Sequence, residues 1–428
     1  MDADVLVLGA GFAGIAAARD LRDAGRTAIV LEARDRIGGR TWYREMPGTG
    51  VHVEYGGMFF SRATQPHLAR EIERYGVVVS PPSEPEQIAW IRGAERREGE
   101  EALDDVRAKL AGSRFTAALA ETADAFEGGD RRALATHDVT AAAWIDALEA
   151  DDEVADYLRA FMASMGGATI ERSSVLPLLW DMVELDYGPV DAYLETGELF
   201  ADGTKSLIDA MAEGLDVRFG SAVRRVEHDD EGVRVTLDDG APLEASAAIV
   251  ALPLNVWADV AFDPPLATPK QRAAGERHVG EASKVLAVVR GAPASFLGMA
   301  WGTPINAGFV TKPTPDGGRL FMGFSAQDRV DLSDHDAMAR AVRAHLPGAT
   351  VVATDGHDWV RDPYAKGTWL AIPPGWFSDG TFEALGEPEG RVAFAGSDIA
   401  SEGAGWIEGA VGSGIAAAAS VGRLLAAG

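Results

Sequence analysis

The chain has 428 residues, a formal net charge of −27, 47% hydrophobic and 25% charged residues, and no cysteine. This length exceeds one ordinary core and requires two domains or an interleaved pair, and the acidic surface repels phosphate backbones, which argues against nucleic acid as a partner. The missing thiols exclude disulfides, thiolate metal sites, a cysteine nucleophile and a thioether-linked cofactor, and the histidines show no HxH or HExxH spacing, so no metal site is expected.

Met1-Asp2-Ala3-Asp4 leads straight into an apolar strand with no basic leader, so no signal peptide is expected. No run of about 18 apolar residues suited to a membrane is read; the tail from Ile415 to Gly428 is apolar but short and carries Arg423. The simplest expectation is a cytoplasmic protein with no membrane partner. The sequence does not read out an oligomeric state, and a homodimer stands as one option.

Val5-Leu6-Val7-Leu8 is a short apolar run, the mark of a strand buried on both faces. The residues from Ile15 to Ala24 read as a helix closed by Gly25, and Thr27 to Leu31 as a second strand ending at Glu32. From about Glu84 to Ala201 the texture is mostly helical, as in Asp104–Glu127 and Asp151–Met165. Strands are expected at Val217–Phe219, Ala222–His228, Val233–Leu237, Leu243–Ala245 and Ala247–Ala251, with a turn at Asp239-Gly240. Val285–Val289 and Leu320–Phe324 fit strands of a second sheet. Arg391–Ala395 is a last strand, and Ile407 to Leu425 a last helix rich in Ala and Gly. No internal repeat is found.

Gly9-Ala10-Gly11-Phe12-Ala13-Gly14 is a GxGxxG pattern between the first strand and the first helix. Its first glycine makes the tight turn, its second admits a pyrophosphate close to the backbone, and its third lets helix and strand pack closely. The helix N-terminus offers free N–H groups to the phosphates. Glu32 ends the second strand, where an acid can hold a ribose hydroxyl pair. Ala33 and Arg34 follow, and then Asp35-Arg36-Ile37-Gly38-Gly39-Arg40-Thr41 extends the site. Gly39 and Arg40 suit a second stretch of backbone round a pyrophosphate. A plain NAD domain does not require this, so the reading is FAD.

Three separated blocks now carry a likeness. The first is Val5 to Trp42. The second is Glu54-Tyr55-Gly56-Gly57-Met58-Phe59. The third is Phe394-Ala395-Gly396-Ser397-Asp398 with Gly405-Trp406-Ile407-Glu408-Gly409-Ala410. In these the sequence resembles the flavin-containing amine oxidase family, monoamine oxidase-like, and the phrases around Arg391 and Trp406 look most like its bacterial 6-hydroxynicotine oxidase branch. The resemblance implies an α/β fold, a Rossmann-like FAD-binding domain of the GR2 type interleaved with an α+β substrate domain. The corresponding division is 1–83, 201–283 and 391–428 for FAD, 84–200 for a helical substrate part, and 284–390 for a substrate sheet.

The resemblance also implies site residues. Gly56, Gly57 and Met58 would pass beside the flavin ring. Val223 would pair with the adenine, with Ala251, Leu252 and Pro253 near the adenosine. Gly396 and Asp398 precede the last helix, and Asp398 matches the family acid that bonds the ribityl chain or phosphate region. Trp406, Ile407 and Ala410 would aim that helix at the pyrimidine end, where its N-terminus stabilises negative charge on reduced flavin. Trp376 would pack near the flavin. Lys284 matches the lysine that holds a water against flavin N5. Trp369 and Trp406 match the aromatic pair that clamps the amine. Thr368 stands where some members carry a flavin-linked cysteine, so the FAD is expected without a covalent link.

The reaction so implied is oxidation of an amine by FAD, with hydride passing to the flavin, an imine left for hydrolysis and O2 reduced to H2O2. The expected substrate is an apolar, cyclic or aromatic primary or secondary amine, with a hydroxynicotine-like alkaloid among the candidates. Met162, Met165, Leu179, Trp180 and Tyr187 are expected as pocket walls or as ordinary core. The alternatives are a flavin desaturase or porphyrinogen-type oxidase, a non-catalytic flavoprotein, and an NAD-dependent dehydrogenase.

Overall fold

The computed structural model describes residues 1–80, 85–99, 101–127, 135–184 and 197–427. Its first strand, β1 (Ala3–Leu8), runs into α1 (Phe12–Asp23) and returns parallel as β2 (Ala28–Leu31). The sheet built on this unit has the order Ala261–Asp263, Val223–His228, Val233–Leu237, Pro242–Val250, β1, β2, Asp216–Arg218. Val392–Phe394 adds to Pro242–Val250 in parallel. Val5 and Val7 face one core, and Leu6 and Leu8 face another, which is why the run shows no polar alternation.

The second sheet has the order Thr350–Asp355, Ser283–Arg290, Arg319–Ser325, Ala307–Pro313, Phe296–Trp301, Gln87–Arg92, Glu95–Glu98. It too is buried on both faces. Val285, Ala287 and Val289 pack under the helix His335–His345. Leu286 and Val288 pack towards the helical lobe that contains Glu101–Ala111, Ala141–Ala147 and Asp152–Gly166. The two-residue period of a strand therefore places Lys284 on the face of Leu286 and Val288.

The chain alternates between the two sheets, and the α/β expectation of a Rossmann-like sheet interleaved with an α+β unit describes it. Three local expectations are corrected. Within the stretch expected to be mostly helical, Gln87–Arg92 and Glu95–Glu98 are two strands of the second sheet. Ile88 and Trp90 face one core and Ala89 and Ile91 the other, so sheet pairing overrides the charged, helix-like composition that follows. Leu243–Ala245 and Ala247–Ala251 are one strand, Pro242–Val250, which changes one neighbour along its length: Val233–Leu237 covers its first half and Val392–Phe394 its second.

The third correction concerns the last helix, Ile407–Ala427. By length and composition it is apolar enough to cross a membrane. Its small residues serve packing: a Cβ on Gly414 would run into the backbone of Ala13, so helix and α1 lie close together, with Ala16, Ala17, Val411 and Ala418 in one core.

Candidate active site

A cavity of about 1250 Å³ runs from the carboxyl ends of β1 and β2 to the second sheet. Gly9, Gly11, Phe12, Ala13, Glu32, Ala33 and Arg34 line its nucleotide end. Gly39, Arg40, Gly56, Gly57 and Met58 line it further along, as do Val223, Gly396, Trp406, Ile407 and Ala410. Lys284 and Trp369 are also on its wall. Gly14, Trp376 and Asp398 are not among its lining residues.

Each of those three has a different place. Gly14 serves the close approach of α1 to the strand, since a Cβ there would collide with the carbonyl of Gly9. Trp376 is fully buried in the core and donates from Nε1 to Glu276 at 2.8 Å. The turn at Gly375 (φ +104°) brings it onto the helix Thr268–Glu276 and away from the cavity. Asp398 is buried behind Arg40, whose Nη2 donates to its Oδ1 at 2.7 Å, and its Oδ2 accepts from the Leu254 N–H at 3.0 Å. Burial pushes the Asp398 carboxyl up, but the Arg40 charge leads the opposing contacts and holds it below the usual carboxylate range.

At the nucleotide end, Gly9 has φ +106° and α1 begins at Gly11 with no side-chain cap, so its first N–H groups remain for a ligand. Glu32 is buried; its carboxylate accepts from the Ala10 N–H at 2.8 Å and the Arg34 N–H at 2.9 Å. Two oxygens have about four acceptor positions, so hydroxyls can still be taken there. Arg36, which sequence reasoning passed over, donates to the carbonyls of Ile37, Gly39 and Thr41 and stacks over Trp42. It shapes the loop that carries Arg40. Burial, then the Arg34 charge, lowers the Arg36 guanidinium to about 10.

Arg40 ties three distant segments together. Besides Asp398 it donates to the Thr368 carbonyl at 2.6 Å and to the Ser397 hydroxyl at 2.9 Å, leaving two of its five N–H groups. The Thr368 hydroxyl is buried with no partner, and Thr368 lines the cavity. Glu408, in the first turn of the last helix, accepts from the His67 and Leu68 N–H groups at 2.9 and 2.7 Å and so caps the helix Pro66–Tyr75. Only the fold could reveal that pairing, because 340 residues separate Leu68 from Glu408. A dinucleotide with an extended ring system fits these features: a backbone cradle, an acid for ribose, free guanidinium donors, an unpartnered hydroxyl and a second helix N-terminus.

The opposite end of the cavity is aromatic. Phe59, Phe309 and Phe324 lie 6.0 to 6.4 Å apart, and Phe324 meets Trp369 edge-on at 5.7 Å. The Trp369 Nε1 donates to the Met165 carbonyl at 2.7 Å. Phe59 follows the glycine pair outside any strand and Phe309 and Phe324 come from two different strands, so nothing in the sequence groups the three. Met165 and Trp180 line the cavity, whereas Met162 and Leu179 are core; Tyr187 lies outside the described residues.

Lys284 enters between these rings and the glycine pair. Its Nζ donates to the Gly56 carbonyl, with the Glu54 carbonyl and the Met58 sulfur at 3.4 Å, and it stands 5.7 Å from the Phe324 ring centre. Burial pushes the ammonium down to about 8, against the charge of Glu54. Glu54 is itself buried and pushed up by desolvation, with its Thr204 hydrogen bonds opposing. The carbonyl of Arg40 presses against Gly56, where a Cβ would collide with it, so the glycine pair and the arginine loop are in direct contact.

Comparison with known proteins agrees with this geometry. Residues 12–422 match the family described as flavin containing amine oxidoreductase. The chain is 32% identical to (S)-6-hydroxynicotine oxidase of Paenarthrobacter nicotinovorans, over 95% of this chain and 96% of that protein. It is 30% identical to pseudooxynicotine dehydrogenase of Pseudomonas sp, over 97% and 85% respectively. Its fold matches that of cyclohexylamine oxidase from Brevibacterium oxydans with a TM-score of 0.83 and 24% identity, covering 99% of this chain and 100% of that one.

Proposed function

Since the chain belongs to the flavin-containing amine oxidoreductase family and its cofactor is FAD, we propose that it oxidises an apolar, cyclic or aromatic primary or secondary amine, with O2 as acceptor. The observation that carries this reading is the pairing of a buried lysine at the Gly56 carbonyl with a wall of aromatic rings on the same cavity. Bound FAD supplies the chemistry: hydride leaves the carbon beside the amine nitrogen, an imine results, and the two electrons pass to oxygen as H2O2.

The protein's own residues do the rest. Gly9, Gly11 and the α1 N-terminus would take the pyrophosphate, Glu32 the ribose, and Arg40, Thr368 and the N-terminus of the last helix the flavin end. With no cysteine in the chain, no thioether can form. Trp369 and Trp406 both line the cavity, and an indole face turned to the substrate would favour an amine nitrogen through its quadrupole. Phe59, Phe309 and Phe324 exclude water and receive the apolar body of the substrate. Among the described residues the wall of Phe59, Phe309, Phe324 and Trp369 carries no carboxylate, which favours a monoamine over a diamine. Lys284 would hold a water near the reacting ring in exchange for one of its longer contacts, to Glu54 or Met58. A hydroxynicotine-like alkaloid satisfies these demands, in keeping with the 32% identical relative.

Anaerobic mixing of the yellow protein with aryl, cyclic and hydroxypyridyl amines, and with putrescine, tests this. Rapid bleaching by the apolar monoamines is expected. Bleaching by none of them, or by putrescine best, would sink it. A second reading keeps the donor and changes the acceptor, because one relative is named a dehydrogenase. Slow reoxidation by air with fast reoxidation by a small electron-transfer protein would favour that.

A further inference from the structure

The helix Asp152–Gly166 ends on Gly167, whose φ of +64° is the left-handed conformation of a helix C-cap. Gly167 does not line the cavity, but the Trp369 indole lies directly on its Cα. A Cβ at this position would sit 2.6 Å from Nε1 and 2.7 Å from Cζ2 of that ring, and closer still to Cε2. The indole cannot slide away freely along the wall, since its Nε1 is held by the Met165 carbonyl at 2.7 Å. Its main chain is held too. The Thr368 N–H donates to the Gly280 carbonyl at 3.0 Å, and a Cβ on Gly280 would collide with the Trp369 carbonyl. The direction left open is into the cavity, towards Phe324.

The same glycine reaches the lysine strand. Its carbonyl accepts from the N–H groups of Glu281 and Ala282 at 2.8 and 2.9 Å, immediately before Ser283 and Lys284. One residue thus seats the aromatic ring and anchors the start of the strand that carries Lys284.

We infer that Gly167 is a positioning and specificity-determining residue: its missing side chain sets how far the Trp369 indole lies back, and so how large an amine body the pocket accepts. The inference rests on the amine oxidase reading for its substrate, and on the geometry alone for the ring.

The test uses the holoenzyme with G167N, chosen because asparagine tolerates a left-handed backbone yet carries a Cβ. Gly76, also a helix C-cap, at φ +62° with nothing within 4 Å of an added Cβ, provides the control G76N. Benzylamine and isopropylamine are the probes. G167N is expected to raise KM for benzylamine about tenfold or more, the scale of one misplaced methylene in an apolar pocket. It should change kcat and the isopropylamine KM by less than about twofold, and G76N should leave both amines unchanged. In a W369A background, which removes the ring that clashes, G167N should have almost no further effect. Equal losses for both amines that persist with W369A overturn the inference. Should G167N fail to fold, folding of G167N/W369A supports it and failure of both overturns it. Where no amine reduces the wild type, the amine oxidase reading falls by itself. A crystal structure of G167N then decides: an indole displaced from the Met165 carbonyl upholds the inference, and an unmoved one overturns it.

Discussion

The Lys284 ammonium donates to the Gly56 carbonyl within the wall of the cavity, joining the second sheet to the glycine pair that follows Glu54. The bond brings a buried cation to the boundary between the dinucleotide end and the aromatic end. The charge of Glu54 opposes its desolvation.

Replacing this lysine by methionine should separate the two half-reactions. K284M is expected to slow reoxidation by oxygen about 100-fold, the lower end for loss of a positioned proton-handling group, while anaerobic reduction by the amine changes far less. Stopped-flow absorbance measures both. Equal slowing of the two would show that the lysine merely supports the fold. The shift also has a stability consequence. Burial lowers this amine from 10.5 to about 8, so the unfolded chain binds more protons between those values and stability rises with pH there. K284M should flatten that rise in urea melts.

The Arg40–Asp398 pair predicts loss of cofactor. D398A takes the carboxylate from a partly exposed guanidinium that keeps its Thr368 and Ser397 bonds, a loss of about 1.5–3 kcal/mol. The variant should melt earlier and lose its yellow colour on gel filtration. R40K should recover little, because one ammonium cannot span Thr368, Ser397 and Asp398 together. Full FAD retention in D398A would contradict this role.

Acid should destabilise the protein in a defined window. Burial lowers both His278 and His345 from 6.5 to about 4. The folded state therefore binds fewer protons than the unfolded state between those values. Stability falls as pH drops through the window, by up to about 1.4 kcal/mol per pH unit per histidine. H345Q can keep a donor for the Ile305 carbonyl and should reduce the slope of Tm against pH between 6.5 and 4.5. An unchanged slope would remove His345 from the account.

Hydride transfer from an amine against this aromatic wall requires the amine to be neutral. The rate of flavin reduction at saturating amine should rise with pH through the pKa of the bound amine. A flat profile from acid to alkaline pH, with reduction rate-limiting, would count against hydride transfer from the neutral form.

The nucleotide end was legible because its signals are local. The turn at Gly9, the packing at Gly14, the N-terminus of α1 and the acid at Glu32 follow within one βαβ unit, where spacing alone fixes geometry. The partners of Trp376 and Asp398 were not legible in this way, because the Glu276 acceptor of Trp376 and the Arg40 partner of Asp398 lie far off in the chain. The strand Gln87–Arg92 was hidden because its partner Phe296–Trp301 lies some 200 residues away, and Glu95–Glu98, which pairs back on it, is charged throughout.

The sequence by itself determined the cofactor class and the strands of two sheets, since short motifs and apolar runs encode them, while Lys284, Trp369 and Trp406 were singled out by the family resemblance. Only the tertiary structure decided what surrounds them. The Phe59–Phe309–Phe324 wall, the Glu408 cap and the Gly167 seat for Trp369 join residues far apart in the chain. Contacts of that kind depend on how two sheets and a helical lobe pack together, and close packing leaves no periodic trace in any one segment.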